Sequence, residues 1–255
     1  MPFRPITQEK LSNAVVRQIE ELILRGILRP GERLPAERDL AERLAVSRPS
    51  LREAIAELQE TGLLTSKRGA GIYVAEVLGG AFSPALVDLF SRHDEAVFDY
   101  LSFRKDMEAL AAERTAKHAT DTDLAVIQTI FEKMEQEHGK RNAETEAQLD
   151  AQFHMAIIEA SHNVIMLHMM RSMYELLRGG VFYNRKIMFK QRTSRAMLLD
   201  QHRAINDALQ SRDADQARQA VVAHLDYVKA ALSDHRTAER HEDVARQRLQ
   251  QETGR

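Results

Sequence analysis

Four polar residues in the C-terminal two-thirds of the chain have side chains that bind divalent metals: Asp150, His154, His202 and His224. Asp150 and His154 are four residues apart, so they share one helix face, along the edge of an apolar stripe that turns toward the protein interior. An unpaired polar group there costs about 1–3 kcal/mol. A shared metal would satisfy all four residues, and three imidazoles with one carboxylate suit zinc, nickel, manganese or iron better than calcium.

The same residues also have a simpler interpretation. The chain contains 10 histidines, and a His/Asp pair four residues apart is commonly a solvated pair or a hydrogen-bonded core pair. Spacing alone neither shows that the four side chains meet nor selects a metal. Because the chain has no cysteine, thiolate zinc sites, iron–sulfur clusters, disulfides and cysteine nucleophiles are excluded. Any bound metal must use histidine and carboxylate ligands.

A second group of residues, near the N-terminus, is basic. Arg48 and Arg52 are four residues apart on one face of a predicted helix, and the planar guanidinium of arginine pairs well with guanine O6 and N7. Arg38 and Ser50 could bind phosphates or add base contacts. The alternative is that these are ordinary exposed charges, since residues 36–71 contain six basic and six acidic side chains.

Two further cations lie at the tip of a predicted β-hairpin. Lys67 and Arg68 fall between two β-prone runs, residues 63–66 and 72–75. Gly69 allows the backbone to approach a ligand closely. A cationic, glycine-containing tip of this kind can enter a DNA minor groove.

Three predicted helices precede this hairpin and would position the basic residues. Apolar residues at helical spacing predict a helix over residues 11–24, and two more helices start near Ala36 and Pro49. Ser47 is the predicted N-cap of the third helix, with Pro49 in its first turn. Two short helices joined by a tight turn, followed by a hairpin, are typical of a winged helix-turn-helix.

The remainder of the chain is predicted to be helical, because after Pro84 it has no proline and is rich in helix-forming residues at three- and four-residue apolar spacing. The predicted helices cover residues 95–119, 122–139, 143–161, 164–191, 195–211 and 214–236. We therefore expect a mainly α protein with an N-terminal winged helix-turn-helix and a C-terminal all-α antiparallel bundle. The expected divisions are a first domain 1–76, a linker 77–84, a helical domain 85–236 and a charged, solvated tail 237–255.

Composition restricts the class of protein further. A chain of 255 residues has room for one large core or two modest ones. The net charge of −2 supplies no basic field and, taken alone, argues mildly against nucleic-acid binding. No apolar run approaches the ~18–20 residues of a membrane span, and the N-terminus lacks a signal-peptide core. These features predict a soluble, cytoplasmic protein with no membrane partner.

The run LRPGERLPAERDLAERLAVSRPSLREAIAELQETGLL, followed by KRGAGIYV, resembles the DNA-binding domain of the GntR family of bacterial transcription regulators. The resemblance covers residues 10–75. It implies that four residues at the family's contact positions bind DNA: Arg38, Arg48, Arg52 and Gly69. Pro49, which has no backbone N–H to offer a phosphate, stands where related proteins often have a small polar residue, so Ser50 would have to bind the phosphate instead.

Residues 95–235 resemble the ligand-binding domain of the FadR-type branch of the same family. In the metal-containing members of that branch, one metal is bound at the positions of Asp150, His154, His202 and His224. The resemblance also places Arg104 and Asn163 near a bound effector, where Arg104 could hold a carboxylate bidentately. The alternatives are a surface ion pair between Arg104 and Glu108 and a helix-capping role for Asn163.

Segments such as SRPSLREAI and EASHNVIMLHMMRSM are most similar to regulators of the pyruvate dehydrogenase complex and of lactate or glycolate utilisation. The resemblance implies a homodimeric transcription regulator, expected to be a repressor of carbon-metabolism genes, on double-stranded, pseudo-palindromic operator DNA. Its expected effector is a small 2-hydroxy or 2-oxo acid such as pyruvate, lactate or glycolate, and its expected metal is zinc. Two alternatives stay open: a metal-dependent enzyme, against which no second carboxylate is placed as a general base, and a regulator that senses metal alone.

Overall fold

The computed structural model describes residues 10–67, 69–75, 86, 89–90, 93–140, 142–178 and 192–253. The chain divides into two compact units between Ser83 and Pro84, with Leu167–Ser172 assigned to the first. Over the described ranges the architecture consists of nine α-helices and one two-stranded antiparallel sheet, so the protein is mainly α, as predicted. None of the helices in these ranges is both long and apolar enough to cross a membrane.

The first unit begins with three helices: α1 (Leu11–Leu24), α2 (Glu37–Arg43) and α3 (Arg48–Glu60). The turn between α2 and α3 includes Ala45 in the left-handed region, at φ 52°. Ser47 is the N-cap of α3, and its hydroxyl accepts a hydrogen bond of 3.3 Å from the Ser50 backbone N–H. The predicted N-cap is confirmed, and α2 and α3 form a tight helix-turn-helix.

An antiparallel hairpin follows, formed by β1 (Leu64–Lys67) and β2 (Gly71–Val74). Each strand is displaced by one residue toward the hairpin tip relative to the predicted runs 63–66 and 72–75. Leu64 pairs with Val74, and both side chains are buried in the core of this unit. That core also contains apolar residues from all three helices: Val15, Val16, Ile19, Ala41, Leu51, Ala54, Ile55 and Leu58. The hairpin is therefore anchored at its base, which leaves its tip exposed.

Among its described residues, the second unit consists of helices and the short turns between them. Its helices are α4 (Asp94–His118), α5 (Asp121–His138), α6 (Ala143–Ala160), α7 (Val164–Arg178, apart from the Leu167–Ser172 segment assigned to the first unit), α8 (Arg192–Gln210) and α9 (Ala214–Thr253). A Thr120/Asp123 capping box starts α5, and the Asn142 side chain caps α6. Most boundaries lie within a few residues of those predicted. The C-terminal part of the predicted helix 164–191 and the predicted linker 77–84 lie outside the described residues.

Helix α9 contains 40 residues, so it extends for about 60 Å at 1.5 Å per residue. Its N-terminal half packs against α4 and α8, whereas residues 237–253 are exposed. Helix α4 also packs against α6. Four helices that are distant in sequence thus share one interior, to which each contributes polar residues.

Candidate functional site

The interior of the second unit contains a compact cluster of four polar residues: Asp150 and His154 of α6, His202 of α8 and His224 of α9. All four side chains are buried, and one potential ligand atom from each lies within 4.8 Å of the others. These are the four residues that the sequence marked as candidate ligands. The structure brings them together, and the group has the composition of a site that could bind a metal.

The distances within this cluster show how closely the donor atoms converge. Nε2 of His154 lies 3.2 Å from Nε2 of His202, and Oδ1 of Asp150 lies 3.1 Å from the same His202 atom. The ring of His224 is stacked on His154, with centroids 5.1 Å apart, and is 4.5 Å from the His202 ring. Two acceptor nitrogens at 3.2 Å repel each other unless a proton or a cation lies between them.

Hydrogen bonds outside the cluster orient two of the imidazoles. Nδ1 of His154 donates to Oε2 of Glu108 at 2.8 Å, and Nδ1 of His224 donates to Oε1 of Gln201 at 3.0 Å. Because each acceptor fixes the proton on Nδ1, the Nε2 lone pairs of both rings are available for a ligand. Among the described residues, Nδ1 of His202 has no hydrogen-bond partner.

Burial also sets the charge of these rings. It lowers the pKa of His154, although the carboxylate of Glu108 opposes the change. Burial lowers the pKa of His224 still further, and the neighbouring His202 ring adds to the effect. Both imidazoles are therefore neutral near pH 7, as a metal ligand must be. Ligand nitrogens of a tetrahedral zinc site are about 3.3 Å apart, close to the spacing of the His154 and His202 nitrogens, so the residues fit the group.

Arg104 and Glu108 of α4 form an ion pair next to the cluster. Both side chains are only 2% exposed, so the pair is buried and is not the surface pair considered above. Glu108 also accepts a hydrogen bond of 2.8 Å from the hydroxyl of Tyr174. Burial raises the pKa of Glu108, but the charges of Arg104 and His154 and the hydrogen bonds from both side chains together outweigh it and keep the pKa well below the usual range. Arg104 is likewise charged, because Glu108, together with Tyr174 and Tyr100, more than offsets the lowering effect of burial on its pKa.

Asn163 has a different environment. Its side-chain oxygen accepts a hydrogen bond of 3.0 Å from the backbone N–H of Met166, so it caps the first turn of α7. Within the described residues, none of its hydrogen bonds reaches the four-residue cluster. The geometry supports the capping role, and contact of Asn163 with an effector stays a prediction.

In the first unit, α3 presents two of the candidate DNA-binding arginines. Arg48 and Arg52 are more than half exposed. Their shared neighbour is Glu37 of α2, whose Oε2 accepts a hydrogen bond of 2.8 Å from Nε of Arg52 and lies 3.8 Å from Nη2 of Arg48. This carboxylate therefore orients both arginines and neutralises part of their charge.

The other candidate DNA contacts lie on α2, in the first turn of α3 and on the hairpin. Arg38 is highly exposed and contacts Asp39, while the hydroxyl of Ser50 is 2.8 Å from that of Ser47. At the hairpin tip, Nζ of Lys67 lies 4.7 Å from the ring centroid of Tyr73. Gly69 has φ 72°, a conformation that favours glycine. Arg68 lies outside the described residues.

The sequence interpretation gave no functional role to three side chains that orient these sites: Glu37, Glu108 and Gln201. Glu108 was visible only as the partner of Arg104 four residues away. Gln201 precedes His202, but its contact is with His224 on another helix. The signal for all three lies in helix packing, which residue spacing does not encode.

Comparison with known proteins gives two family matches. Residues 11–74 match bacterial regulatory proteins of the gntR family, and residues 99–227 match the FCD domain. The candidate DNA contacts lie within the first match, and the buried cluster with Arg104 lies within the second.

Proteins similar to this chain over most of its length are named as regulators. The "Putative L-lactate dehydrogenase operon regulatory protein" of Escherichia coli (strain K12) is 37% identical over 231 residues, which cover 89% of this chain and 88% of that protein. The "Glc operon transcriptional activator" of the same strain is 32% identical, with 91% and 90% covered. The regulator LutR of Bacillus subtilis (strain 168) is 34% identical, with 83% and 96% covered.

A solved structure supports the fold. "Streptococcus agalactiae GntR" superposes with a TM-score of 0.55 at 23% sequence identity and covers 86% of this chain and 99% of that one. At this identity the likeness concerns the architecture, a winged helix-turn-helix followed by a helical domain.

Proposed function

Because this chain belongs to the GntR family of bacterial regulatory proteins and carries an FCD domain, we propose that it is a transcription regulator that senses a small 2-hydroxy or 2-oxo carboxylate. The family and the relatives are transcription regulators, not enzymes, so the enzyme alternative is set aside. The observation that carries the proposal is the buried Asp150/His154/His202/His224 cluster with the charged Arg104–Glu108 pair beside it.

The chemistry of the cluster favours a chelating acid. Asp150 and the three histidines would hold a divalent metal, zinc being the first choice, which supplies a positive centre for oxygen ligands. A 2-hydroxy or 2-oxo acid offers a carboxylate oxygen and an adjacent oxygen for chelation. Arg104 would pair with the acid group, since a guanidinium binds a carboxylate through two parallel N–H donors.

Relatives named for an L-lactate dehydrogenase operon and a Glc operon support an acid of two to four carbons. We propose lactate, glycolate or pyruvate as the effector, and carbon-metabolism genes as the targets. Repression is the expected sign of regulation. Because one relative is named an activator, activation is the alternative outcome when transcription from a target promoter is measured with and without the acid.

Arg48 and Arg52 would contact the base edges. Arg38, Ser50 and the hairpin tip would add contacts to the DNA backbone or grooves. Two copies would read the two half-sites of a pseudo-palindrome, because a two-fold symmetric dimer imposes its symmetry on the operator. The acid would change operator affinity by binding one arrangement of the dimer more tightly than another.

Thermal-shift screening of the zinc-loaded protein against C2 to C4 hydroxy and oxo acids tests the proposal. A ligand that binds the native state raises Tm by mass action, so one acid or a close pair is expected to raise Tm in the loaded protein and not after chelation. If zinc alone raised Tm and no acid added to it, the protein would be a metal sensor. If neither zinc nor any acid raised Tm, the proposed sensing function would be wrong.

A further inference from the structure

Glu108 is a buried carboxylate of the second unit that is surrounded by hydrogen-bond donors. Its side chain is 2% exposed and accepts hydrogen bonds from three groups: Nε and Nη2 of Arg104, Nδ1 of His154 and the hydroxyl of Tyr174. It therefore joins α4, α6 and α7 at one point. Glu108 contacts His154 at Nδ1, whereas Nε2 of the same ring faces Asp150 and His202.

We infer that Glu108 is a positioning residue that prepares both halves of the effector site, the metal-binding face of His154 and the guanidinium of Arg104. An ionised carboxylate accepts hydrogen bonds but cannot donate one. Nδ1 of His154 must therefore carry the ring proton and donate it in a hydrogen bond to Glu108. The lone pair of Nε2 is then available on the side of Asp150 and His202. Hydrogen-bonded partners of this kind orient metal-ligating histidines and fix their tautomer.

Glu108 also orients Arg104. Glu108 engages Nε and Nη2 of Arg104, so it fixes the plane of the guanidinium before any acid arrives. An orientation set in advance lowers the ordering cost of binding a carboxylate. This part rests on the proposed function, in which Arg104 receives the acid group.

The variant Glu108→Gln separates positioning from packing. Glutamine has nearly the same shape, but its amide has one acceptor oxygen and one NH₂ donor. Three donor residues face this position, so one oxygen cannot serve them all. The amide NH₂ is expected to donate to Nδ1 of His154, which moves the ring proton to Nε2 and turns a donor toward the metal position.

A matched control is available elsewhere in the same unit. Glu146 is also buried and pairs with Arg195 of α8, with Oε2 of Glu146 accepting from Nε of Arg195 at 2.9 Å. The variant Glu146→Gln likewise removes one charge of a buried Arg–Glu pair. In contrast to Glu108, among the described residues it makes no hydrogen bond to the four-residue cluster.

The experiment combines two measurements on the full chain. Long-range ¹H–¹⁵N NMR of histidine-labelled, metal-free protein reports the tautomer of His154, and competition with a chromophoric chelator reports the affinity for Zn²⁺. Glu108→Gln is expected to convert His154 to the Nε2–H tautomer and to weaken Zn²⁺ binding by about 10–100-fold. Glu146→Gln is expected to leave both unchanged. If Glu108→Gln does not fold, Arg104→Met/Glu108→Leu removes both charges of the pair and leaves no carboxylate or amide facing Nδ1 of His154, so the same change of tautomer is expected.

The two readouts distinguish the possible failures. An unchanged His154 tautomer in the Glu108 variants, or Zn²⁺ affinity within about threefold of the unaltered protein, would overturn the positioning role. Equal loss of Zn²⁺ affinity in Glu146→Gln would also overturn it, because the effect would then be one of general stability. If the unaltered protein bound no Zn²⁺, the metal part of the proposed function would fail, and the tautomer in metal-free protein would still decide the role of Glu108.

Discussion

The carboxylate of Glu37, at the start of α2, accepts a hydrogen bond of 2.8 Å from Nε of Arg52 on α3. Glu37 is also 3.8 Å from Arg48, so one acidic side chain serves both candidate recognition arginines. Exposed ion pairs of this kind contribute only about 0–1 kcal/mol. DNA can therefore displace Glu37 at little cost, while in the free protein it holds the two arginines close together and reduces their net charge.

Removal of the Arg52 side chain is expected to weaken operator binding specifically. A bidentate contact with guanine contributes about 1–3 kcal/mol of discrimination, so Arg52→Ala should lower affinity for a selected operator by roughly 5–150-fold and relax the preference at one base pair. Fluorescence anisotropy with operator fragments substituted at each position measures both effects. Arg218→Ala removes the same charge from an exposed site of the other unit and serves as the control. Unchanged affinity and base preference in Arg52→Ala would show that α3 does not read the operator through this residue.

Neutralising Glu37 is expected to have the opposite effect on non-specific binding. With the carboxylate removed, Arg48 and Arg52 offer about one more unit of positive charge to phosphates. Glu37→Gln should bind random-sequence DNA more tightly and steepen the dependence of log K on log[salt] by about 0.9. The ratio of operator to random-DNA affinity should fall. Identical salt slopes for the variant and the unaltered protein would mean that Glu37 does not restrain these arginines.

The metal content of purified protein should depend on Asp150. Asp150→Asn keeps the shape of the side chain but removes the charge that complements a divalent cation, so bound metal should fall from about one per chain to near zero. His162→Ala alters a half-exposed histidine that pairs with Asp123 and should retain the metal. Elemental analysis after dialysis against dilute Zn²⁺ makes the comparison. Equal metal content in Asp150→Asn and His162→Ala would refute the four-residue site.

Acid sensitivity is expected at the capping box of α5. Asp123 accepts hydrogen bonds from the backbone N–H and the hydroxyl of Thr120, at 2.8 and 2.6 Å. Burial raises the pKa of Asp123, but these hydrogen bonds, together with the hydrogen bond and charge of His162, outweigh it and the net pKa is lowered. Below its unfolded-state pKa of about 3.9, the unfolded chain binds the proton that the folded chain resists. The resulting stability is present above that pH and is lost as the pH falls further.

Urea unfolding between pH 5 and pH 3 measures this contribution. Asp123→Asn should flatten the decline in the free energy of unfolding with falling pH, whereas Asp121→Asn, at a fully exposed neighbouring position, should leave the decline unchanged. Equal slopes in the unaltered protein and Asp123→Asn would show that this carboxylate does not titrate differently in the folded state.

The helices could be predicted from the sequence because their signals are local. Apolar periodicity, the Ser47 N-cap and the absence of proline after Pro84 placed most helix bounds within a few residues of those observed, but α9 continues to Thr253, well beyond its predicted end at residue 236. The hairpin was recognisable because glycines mark its tip. These features depend on neighbouring residues, and no distant contact overrides them.

The contacts that orient the two sites could not be predicted in the same way. Convergence of Asp150, His154, His202 and His224 was implied by the family resemblance, since spacing alone left their meeting open. From the sequence, Glu108 is recognisable only as an ion-pair partner of Arg104, four residues away. Its contact with His154 requires α4 to pack against α6 at one register, and that register is set by the whole core.

Operator binding as a function of acid and metal tests the central claim most directly. With an operator selected from random DNA and the acid identified by thermal shift, anisotropy titrations would compare zinc-loaded protein, chelator-treated protein and Asp150→Asn. The acid is expected to change operator affinity about 5–150-fold in the zinc-loaded protein alone, which is the usual range of an allosteric coupling. An equal response to the acid in all three samples, or no response in the zinc-loaded protein, would contradict it.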